Sequence, residues 1–267
     1  MSNIVPFTIT RAPLFARLAV AALALSIGAF AHGREKALLI AAASDLKFAL
    51  PPIVSRFESE FAQRVAVTLG SSGNMARQIQ QGAPFELFFS ADEALVHRLV
   101  ETGHARDAGF VYAVGRLALY VSNASKLAPD ENLSDLQRNW KAVQKFAIAN
   151  PEHAPYGRAA SEALESLGLS ALVKPKTVYG ENVSQAAQFI STGAAQAGLI
   201  ALSLAVAPEL ARSGRYVVLP AFRHQPLRQR VSLMRHAGPT AEHFYEFLQR
   251  PDTRESLRQS GFAMPSE

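Results

Sequence analysis

Two turns in the first half of the chain place small hydroxyl residues where helices are expected to begin. Ser44 and Asp45 follow one apolar run, and Ser71 and Ser72 follow the next. The first N–H groups of a helix have no partner inside it, and the helix dipole favours negative charge at that end. Hydroxyl groups beside such N–H groups predict an anion-binding site. A single turn of this kind is equally explained by N-capping, so the prediction depends on several turns meeting.

Two turns in the second half of the chain also follow a strand pattern and precede a helix pattern. One contains Tyr156, and the other contains Val183. If the two halves face each other, the four turns converge on a cleft that is rich in neutral hydrogen-bond donors and poor in cations. Such a cleft suits a fully ionised oxyanion, which only accepts hydrogen bonds. Asp45 is an acceptor and would oppose a dianion, so we interpret it as a helix cap that points away from the ligand.

The elements that must position these turns alternate along the chain. Strand, turn and helix patterns repeat three times between residues 37 and 103, which predicts parallel strands joined by right-handed crossovers. In open sheets of this kind, ligands bind beyond the carboxyl ends of the strands, where Ser44 and Ser72 lie. The sequence therefore predicts that the site lies at a sheet edge.

The order of the apolar segments predicts two lobes. The segment 110–122, interrupted by Gly115, is expected to pass from one lobe to the other, and the strand at 216–219 is expected to run back. We predict an α/β protein in which each lobe is a mostly parallel sheet flanked by helices, with two crossover strands as the hinge. Lobe 1 would comprise residues 32–116 and 221–267, and lobe 2 residues 117–220.

Composition excludes several classes of function. The chain has 267 residues, of which 49% are hydrophobic and none is cysteine. Disulfides, cysteine-ligated metals, thiol catalysis and a lipid anchor on an N-terminal cysteine are therefore excluded. The net charge of +5 is carried by scattered lysines and arginines without a dense basic run, which argues against nucleic acid binding.

The first 31 residues have the layout of a secretory signal peptide. Arg11 and Arg17 precede the apolar run 18–31, and Ala29-Phe30-Ala31 offers a small-x-small cleavage site. A membrane span needs about 20 residues, which is more than this run provides. We predict cleavage near His32 and a location in the periplasm, with an uncleaved anchor as the alternative.

Other functions remain open from the residues alone. A serine hydrolase would use Ser72, although the G-x-S-x-G spacing is missing and its histidine partner is not evident. His153 is a candidate metal ligand, although no second histidine stands at helical spacing from it. Ferric-ion receptors often use adjacent tyrosines, which this chain lacks. A regulator's effector module would need a DNA-binding helix pair at the N-terminus, where the leader stands instead.

Several motifs resemble those of the periplasmic molybdate-binding proteins of bacterial ABC uptake systems. They occur in the family's order and cover essentially the whole chain after the leader. The motifs are Ala41-Ala42-Ala43-Ser44, Ser71-Ser72-Gly73 with Ala76-Arg77-Gln78-Ile79, Gly82-Ala83-Pro84, Ser90-Ala91-Asp92, Pro151 to Gly157, Glu181-Asn182-Val183 and Gly261-Phe262.

This resemblance implies the type II periplasmic binding protein fold and a set of ligand contacts. Ser44 and Ser72 would donate through hydroxyl and backbone N–H, and Tyr156 and Val183 through backbone N–H; Asp45 and Ser71 are further candidates. Some family members use a tyrosine where this chain has Ala201, so the Tyr156 hydroxyl is expected to replace it.

The resemblance also implies the function and partners. The ligand would be molybdate or tungstate, delivered to an inner-membrane ABC permease by a monomer that has no catalytic activity and no cofactor. Sulfate or phosphate remains the alternative ligand. Turns set too far apart for sulfate would leave donors unpaired at about 1–3 kcal/mol each, whereas molybdate and tungstate are nearly equal in size.

Overall fold

The computed structural model describes residues 36–265, and the predicted signal peptide lies outside the described residues. Ten strands form two five-stranded sheets within that range. In each sheet four strands run in one direction and one is reversed, which confirms the predicted fold class of two mostly parallel sheets. The first sheet has the order β2-β1-β3-β10-β4, with β1 Leu38–Ala43, β2 Val65–Gly70, β3 Leu87–Ser90, β4 Phe110–Gly115 and β10 Leu227–Leu233. The second has the order β7-β6-β8-β5-β9, with β5 Leu117–Ser122, β6 Phe146–Ala149, β7 Thr177–Gly180, β8 Ala197–Ala201 and β9 Gly214–Val218.

Helices cover both sheets, as expected for parallel strands joined by crossovers. The first helix begins at Leu50 and has Pro51 and Pro52 in its first turn, where a backbone N–H would have no helical partner anyway. The prolines therefore start this helix rather than kink it. The helices are α1 Leu50–Phe61, α2 Ser72–Gln80, α3 Glu93–Glu101, α4 Ser134–Arg138, α5 Pro155–Ser166, α6 Ser170–Val173, α7 Val183–Ser191, α8 Leu202–Ala205, α9 Pro208–Ala211, α10 Pro239–Phe247 and α11 Pro251–Gln259.

The chain passes between the two sheets twice. The first passage is β4 to β5, which are separated by Arg116 alone, as the break at Gly115 predicts. The return is later than the sequence pattern suggests, because β9 stays in the second sheet, paired with β5. It is β10 that lies in the first sheet. The residue boundaries of the two lobes stay a prediction; we use lobe 1 and lobe 2 below for the elements packed on the first and second sheets.

Each sheet has its own apolar core. In lobe 1, the ring of Phe57 lies 4.8 Å from that of Phe244 and 5.4 Å from that of Phe247, both edge-on. In lobe 2, the core is rich in alanine around Phe146 and Ile200, which brings the helices close to the sheet. These cores fix the strand ends from which the candidate site is built. Within residues 36–265, no helix is both long and apolar enough to cross a membrane.

Candidate functional site

The four predicted ligand residues stand at the start of four helical turns. Ser44 opens a 3-10 turn after β1, and Ser72 is the first residue of α2. Tyr156 is the second residue of α5, and Val183 is the first of α7. All four line one small cavity, which we call the inter-lobe cavity. Its other lining residues are Ala43, Asp45, Gly70, Ser71, Ala91, Ala154 and Pro155.

Strand register brings these turns together in pairs. In lobe 1, Ala43 is paired with Gly70 at the carboxyl ends of β1 and β2, so the turns that follow lie side by side. In lobe 2, Ala149 is paired with Gly180 at the ends of β6 and β7. Both sheets thus direct two helix starts towards the cavity, as expected for the carboxyl edge of parallel strands.

The cavity is lined by free hydrogen-bond donors. Within the described residues, the backbone N–H groups of Ser44, Ser72, Tyr156 and Val183 have no protein acceptor. The Ser72 hydroxyl accepts from the N–H of Ala91 at 2.9 Å, and the Ser44 hydroxyl accepts from the N–H of Ser184 at 3.3 Å. A hydroxyl has one proton to donate, and accepting an N–H leaves that proton available. Four N–H groups and two hydroxyl protons are therefore free to bind an acceptor.

Asp45 belongs to a buried polar cluster at the back of the cavity, which we call the inner cluster: Asp45, Tyr112, Tyr156 and Gln229. The side-chain amide of Gln229 donates to Asp45 Oδ2 at 2.5 Å and to the Tyr156 hydroxyl at 3.1 Å. The Tyr112 hydroxyl donates to Gln229 Oε1 at 2.6 Å. Gln229 thus joins residues of both lobes through one amide group.

Burial controls the ionisation of the inner cluster. It raises the pKa of Asp45 to about 6, and the hydrogen bonds from Gln229, Tyr156 and the backbone N–H groups of Asp45 and Leu46 offset only part of that rise. Burial also raises the pKa of Tyr112 and of Tyr156 well above the ordinary value, and the nearby Asp45 carboxyl adds to both shifts. Both tyrosines therefore stay neutral and can only share protons through hydrogen bonds.

The interpretation of Asp45 as a helix cap that points away from the cavity is wrong. The 3-10 turn has no side-chain cap, and Asp45 is 1% exposed with its Oδ2 bound to Gln229. A turn of three residues has little dipole to attract the carboxylate, whereas Gln229 on β10 of the same lobe offers a direct donor. Asp45 therefore stands in the cavity wall and not on the surface.

A second set of contacts joins the lobes at the rim of the cavity, which we call the outer cluster: Ser71, Asn74, His153 and Glu181. The Ser71 hydroxyl lies 2.9 Å from His153 Nδ1, and His153 Nε2 lies 3.6 Å from Glu181 Oε2. Asn74 also donates to the Glu181 carboxylate. The N–H of Gly73, beside these residues, donates to the His153 carbonyl at 3.0 Å.

Gly73 is required by this close approach of two backbones. A Cβ at this position would lie 2.5 Å from the His153 carbonyl oxygen, far inside van der Waals contact. Backbone atoms do not yield as a side chain does. The contact between α2 and the loop before α5 therefore depends on a glycine at this position.

The outer cluster bears on two of the alternative functions. The histidine near the serine turn contacts Ser71, whereas the hydroxyl of Ser72, the expected nucleophile, accepts the Ala91 N–H. The members Ser71, His153 and Glu181 match a hydrolase triad in type, but Ser71 is on lobe 1 while the other two are on lobe 2, so the set exists only where the lobes touch. In the described part of the chain, no three histidine, aspartate or glutamate side chains are grouped to hold a metal ion.

Sequence reasoning did not identify Gln229, Tyr112 or the role of His153. Gln229 has one weak sequence signal: it occupies an inward position of β10, where alternation predicts an apolar residue, and it is fully buried. A polar residue at a core position predicts a buried partner, but only the tertiary structure identifies Asp45 as that partner. Ala201, the position where some relatives have a tyrosine, is fully buried at the end of β8.

Comparison with known proteins agrees with this architecture. The chain is 32% identical over 245 residues to the molybdate-binding protein ModA of Azotobacter vinelandii, covering 90% of this chain and 96% of that protein. It is 32% identical over 256 residues to ModA of Rhodobacter capsulatus, covering 95% and 98%. The solved structure of the Azotobacter vinelandii periplasmic molybdate-binding protein superposes with a TM-score of 0.79 at 29% identity, covering 86% of this chain and all of that one.

These relatives confirm the resemblance that the motifs predict, and the superposition confirms the fold class. The family model that describes bacterial extracellular solute-binding proteins matches residues 38–263, which is nearly the whole described range. Proteins of this family bind solutes for transport. The chain therefore belongs to the bacterial extracellular solute-binding protein family.

Proposed function

We propose that this protein is a periplasmic receptor that binds molybdate or tungstate in the inter-lobe cavity and delivers it to an inner-membrane ABC permease. The observation that carries the proposal is the convergence of four free N–H groups and two free hydroxyl protons on one small cavity. None of the residues lining that cavity is a lysine, arginine or histidine. A site of neutral donors suits a fully ionised oxyanion, because such a ligand only accepts hydrogen bonds.

The relatives support the choice of anion. The two relatives with 32% identity are named molybdate-binding proteins, and their alignments extend over nearly the full length of both partners. Ser44, Ser72, Tyr156 and Val183 would be the contacts, with Ser71 held back by His153. The protein would act as a monomer without catalysis or cofactor, after removal of the leader near His32.

One observation favours a second ligand. Asp45 lines the same cavity, and its carboxylate oxygen Oδ1 is buried without a hydrogen-bond partner. An oxyanion that carries a proton, such as hydrogen phosphate, would find its acceptor there. Phosphate is therefore the alternative that the experiment must separate from molybdate, and sulfate tests the size of the cavity.

The test is a calorimetric titration of the chain from residue 32 onward with molybdate, tungstate, sulfate and phosphate in separate runs. We expect heat of binding with molybdate and tungstate and none with the other two. Thermal melts add a second readout, since a ligand at 100 times its dissociation constant stabilises the folded protein by about 2.7 kcal/mol. If the protein binds phosphate or sulfate but neither molybdate nor tungstate, the cavity is still an anion site and the proposed ligand is wrong.

The contact residues are tested by Ser72→Ala, which removes a hydroxyl donor and leaves the backbone in place. We expect the affinity for molybdate to fall by about 1–3 kcal/mol, the cost of leaving a ligand oxygen unpaired. Ser170→Ala is the matched control, because Ser170 is also the first residue of a helix but is exposed and remote from the cavity. Equal affinities of the two variants would remove Ser72 from the site.

A further inference from the structure

A free carboxylate oxygen in a site for an anion calls for an explanation. Asp45 lines the inter-lobe cavity and is 1% exposed. Its Oδ2 is held by the Gln229 amide at 2.5 Å, while Oδ1 is buried and has no partner. A buried polar atom without a partner destabilises the folded protein, so its persistence beside a set of ligand donors points to a role in binding.

We propose that Asp45 binds the ligand as a neutral carboxylic acid, donating a proton from Oδ1 to a ligand oxygen, so that each oxyanion is bound together with one proton. This inference rests on the proposed function, because it needs an oxyanion in the inter-lobe cavity. The proton comes from solvent at the time of binding, or is already on Asp45 when the surrounding solution is acidic. No bond other than this hydrogen bond is formed.

The charges around Asp45 require this proton. A carboxylate and a dianion in one small buried cavity repel each other, and a proton on the carboxylate removes that repulsion. The groups that contact Asp45 are neutral: the Gln229 amide, the Tyr156 hydroxyl, and Ser203, whose hydroxyl donates to the Asp45 carbonyl at 2.8 Å. Protonation is therefore the remaining way to accommodate both charges.

The elements packed against Asp45 supply no compensating charge. Tyr112 on β4 and Tyr156 on α5 are the titratable groups that face it, and both are held neutral by their raised pKa. The facing residues of β2, α7 and α8 are uncharged, and the neighbouring Lys47 is exposed, with its ammonium over the ring of Phe48. These residues are Gly70 on β2, Val183 and Ser184 on α7, and Ser203 on α8.

The ionisation of Asp45 gives the pH range of the effect. Burial holds the pKa of Asp45 at about 6 before the anion binds, and a dianion beside it raises that pKa further. Below about pH 6 Asp45 already carries its proton, and the affinity should not change with pH. Above that value each bound anion must take up a proton, so the affinity should fall about tenfold for each pH unit until the raised pKa of the complex is reached.

The experiment is a calorimetric titration of the chain from residue 32 with sodium molybdate, at pH values from about 6 to 9, where molybdate itself stays a dianion. Each pH is run in two buffers of different ionisation enthalpy, which measures the number of protons taken up on binding. For the wild-type chain we expect close to one proton per molybdate near pH 8 and a loss of affinity of more than tenfold between pH 6 and 8.

Two variants separate Asp45 from other groups. Asp45→Asn keeps a donor at the same place without an ionisable proton, so its affinity should be independent of pH and its proton uptake close to zero. Asp252→Asn is the matched control, since Asp252 forms an exposed ion pair with Arg56 and is remote from the cavity. It should behave as the wild-type chain does.

The outcomes distinguish this inference from the proposed function. Binding of molybdate at every pH without proton uptake would overturn the role of Asp45 and leave the function intact. No binding of molybdate by the wild-type chain at any pH would overturn the function. A folded Asp45→Asn variant that fails to bind at pH 6 would also contradict the inference, because a neutral side chain should suffice. If that variant does not fold, the wild-type proton count decides.

Discussion

The two lobes are joined by two polar clusters that differ in their depth. The inner cluster is buried and is organised by Gln229, which is fully buried and reaches Asp45, Tyr112 and Tyr156 at once. The outer cluster lies at the rim, and its carboxylate, Glu181, is 59% exposed. Both contain hydrogen bonds of ordinary length, so the distances alone would suggest that the two clusters contribute equally to stability.

The difference in burial decides what each cluster contributes. In the inner cluster no water can replace a lost partner, so every broken hydrogen bond leaves a polar group unsatisfied. In the outer cluster, water and salt compete for the exposed Glu181 carboxylate, so its contact with His153 contributes only about 0–1 kcal/mol. We therefore expect the inner cluster to determine the stability of the fold and the ionisation of Asp45. The outer cluster should affect the approach of the lobes mainly through the backbone contact of Gly73 with His153.

The largest expected effect is that of Gln229→Leu. The leucine fills similar space but leaves the buried Tyr112 hydroxyl without a partner and removes one hydrogen bond each from Asp45 and Tyr156. We therefore expect a loss of about 4 kcal/mol in the free energy of unfolding. Urea denaturation followed by circular dichroism measures it. Gln249→Leu is the control, because Gln249 is exposed and should change stability by no more than about 0.5 kcal/mol. Equal losses in the two variants would remove the distinction between buried and exposed contacts.

The next effect is on the pH dependence of stability without ligand. The pKa of Asp45 is raised from 3.8 to about 6, so between these values the folded state binds more protons than the unfolded state. Stability is therefore highest below about pH 4 for this group and falls by about 3 kcal/mol as the pH rises to about 6.

Asp45→Asn should abolish this fall, and the variant should melt at a higher temperature than the wild type near pH 7. Melting curves of both chains from about pH 4 to 7 make the comparison, because other acidic groups contribute equally to the two. Parallel curves would mean that Asp45 has the same pKa in the folded and unfolded states, and the raised pKa would be wrong.

A smaller effect is expected when the backbone contact between Gly73 and His153 in the outer cluster is disrupted. Gly73→Ala places a Cβ 2.5 Å from the His153 carbonyl oxygen, so α2 must move away from the loop before α5. We expect the affinity for molybdate to fall about tenfold, or about 1.4 kcal/mol, because the lobes approach less closely. Gly238→Ala is the control, since its Cβ would meet only the flexible side chain of Glu86 at 3.3 Å. Titration calorimetry of both variants gives the answer, and an unchanged affinity of Gly73→Ala would show that this approach does not matter for binding.

Features that depend on local contacts can be predicted from the sequence, and features that depend on contacts between distant residues cannot. The alternation of apolar runs and helical patterns predicts both sheets, and the turns at Ser44, Ser72, Tyr156 and Val183 all line one cavity as expected. These features depend on local periodicity and on the edge rule for parallel strands. Their role as ligand contacts stays a prediction.

The contacts of the inner cluster cannot be predicted from the sequence. Its central bond joins residues 184 positions apart, and nothing local to Asp45 shows that Gln229 lies opposite. The sequence predicts the orientation of Asp45 only through capping preferences, which are local and which a buried partner overrides. The passage from β9 to β10 was misplaced for a related reason: a strand pattern does not reveal which sheet the strand joins.

The smallest effect should come from the charge in the outer cluster. Glu181→Gln removes the carboxylate charge that lies 3.6 Å from His153 Nε2 but keeps an oxygen that accepts from Asn74. Because the carboxylate is 59% exposed, we expect the affinity for molybdate to change by less than about 1 kcal/mol, and the change to shrink further at high salt. Titrations at low and high ionic strength measure both quantities. A salt-independent loss as large as that of Gly73→Ala would mean that the rim is closed by charge rather than by backbone contact, and the ranking of the two clusters would have to be reversed.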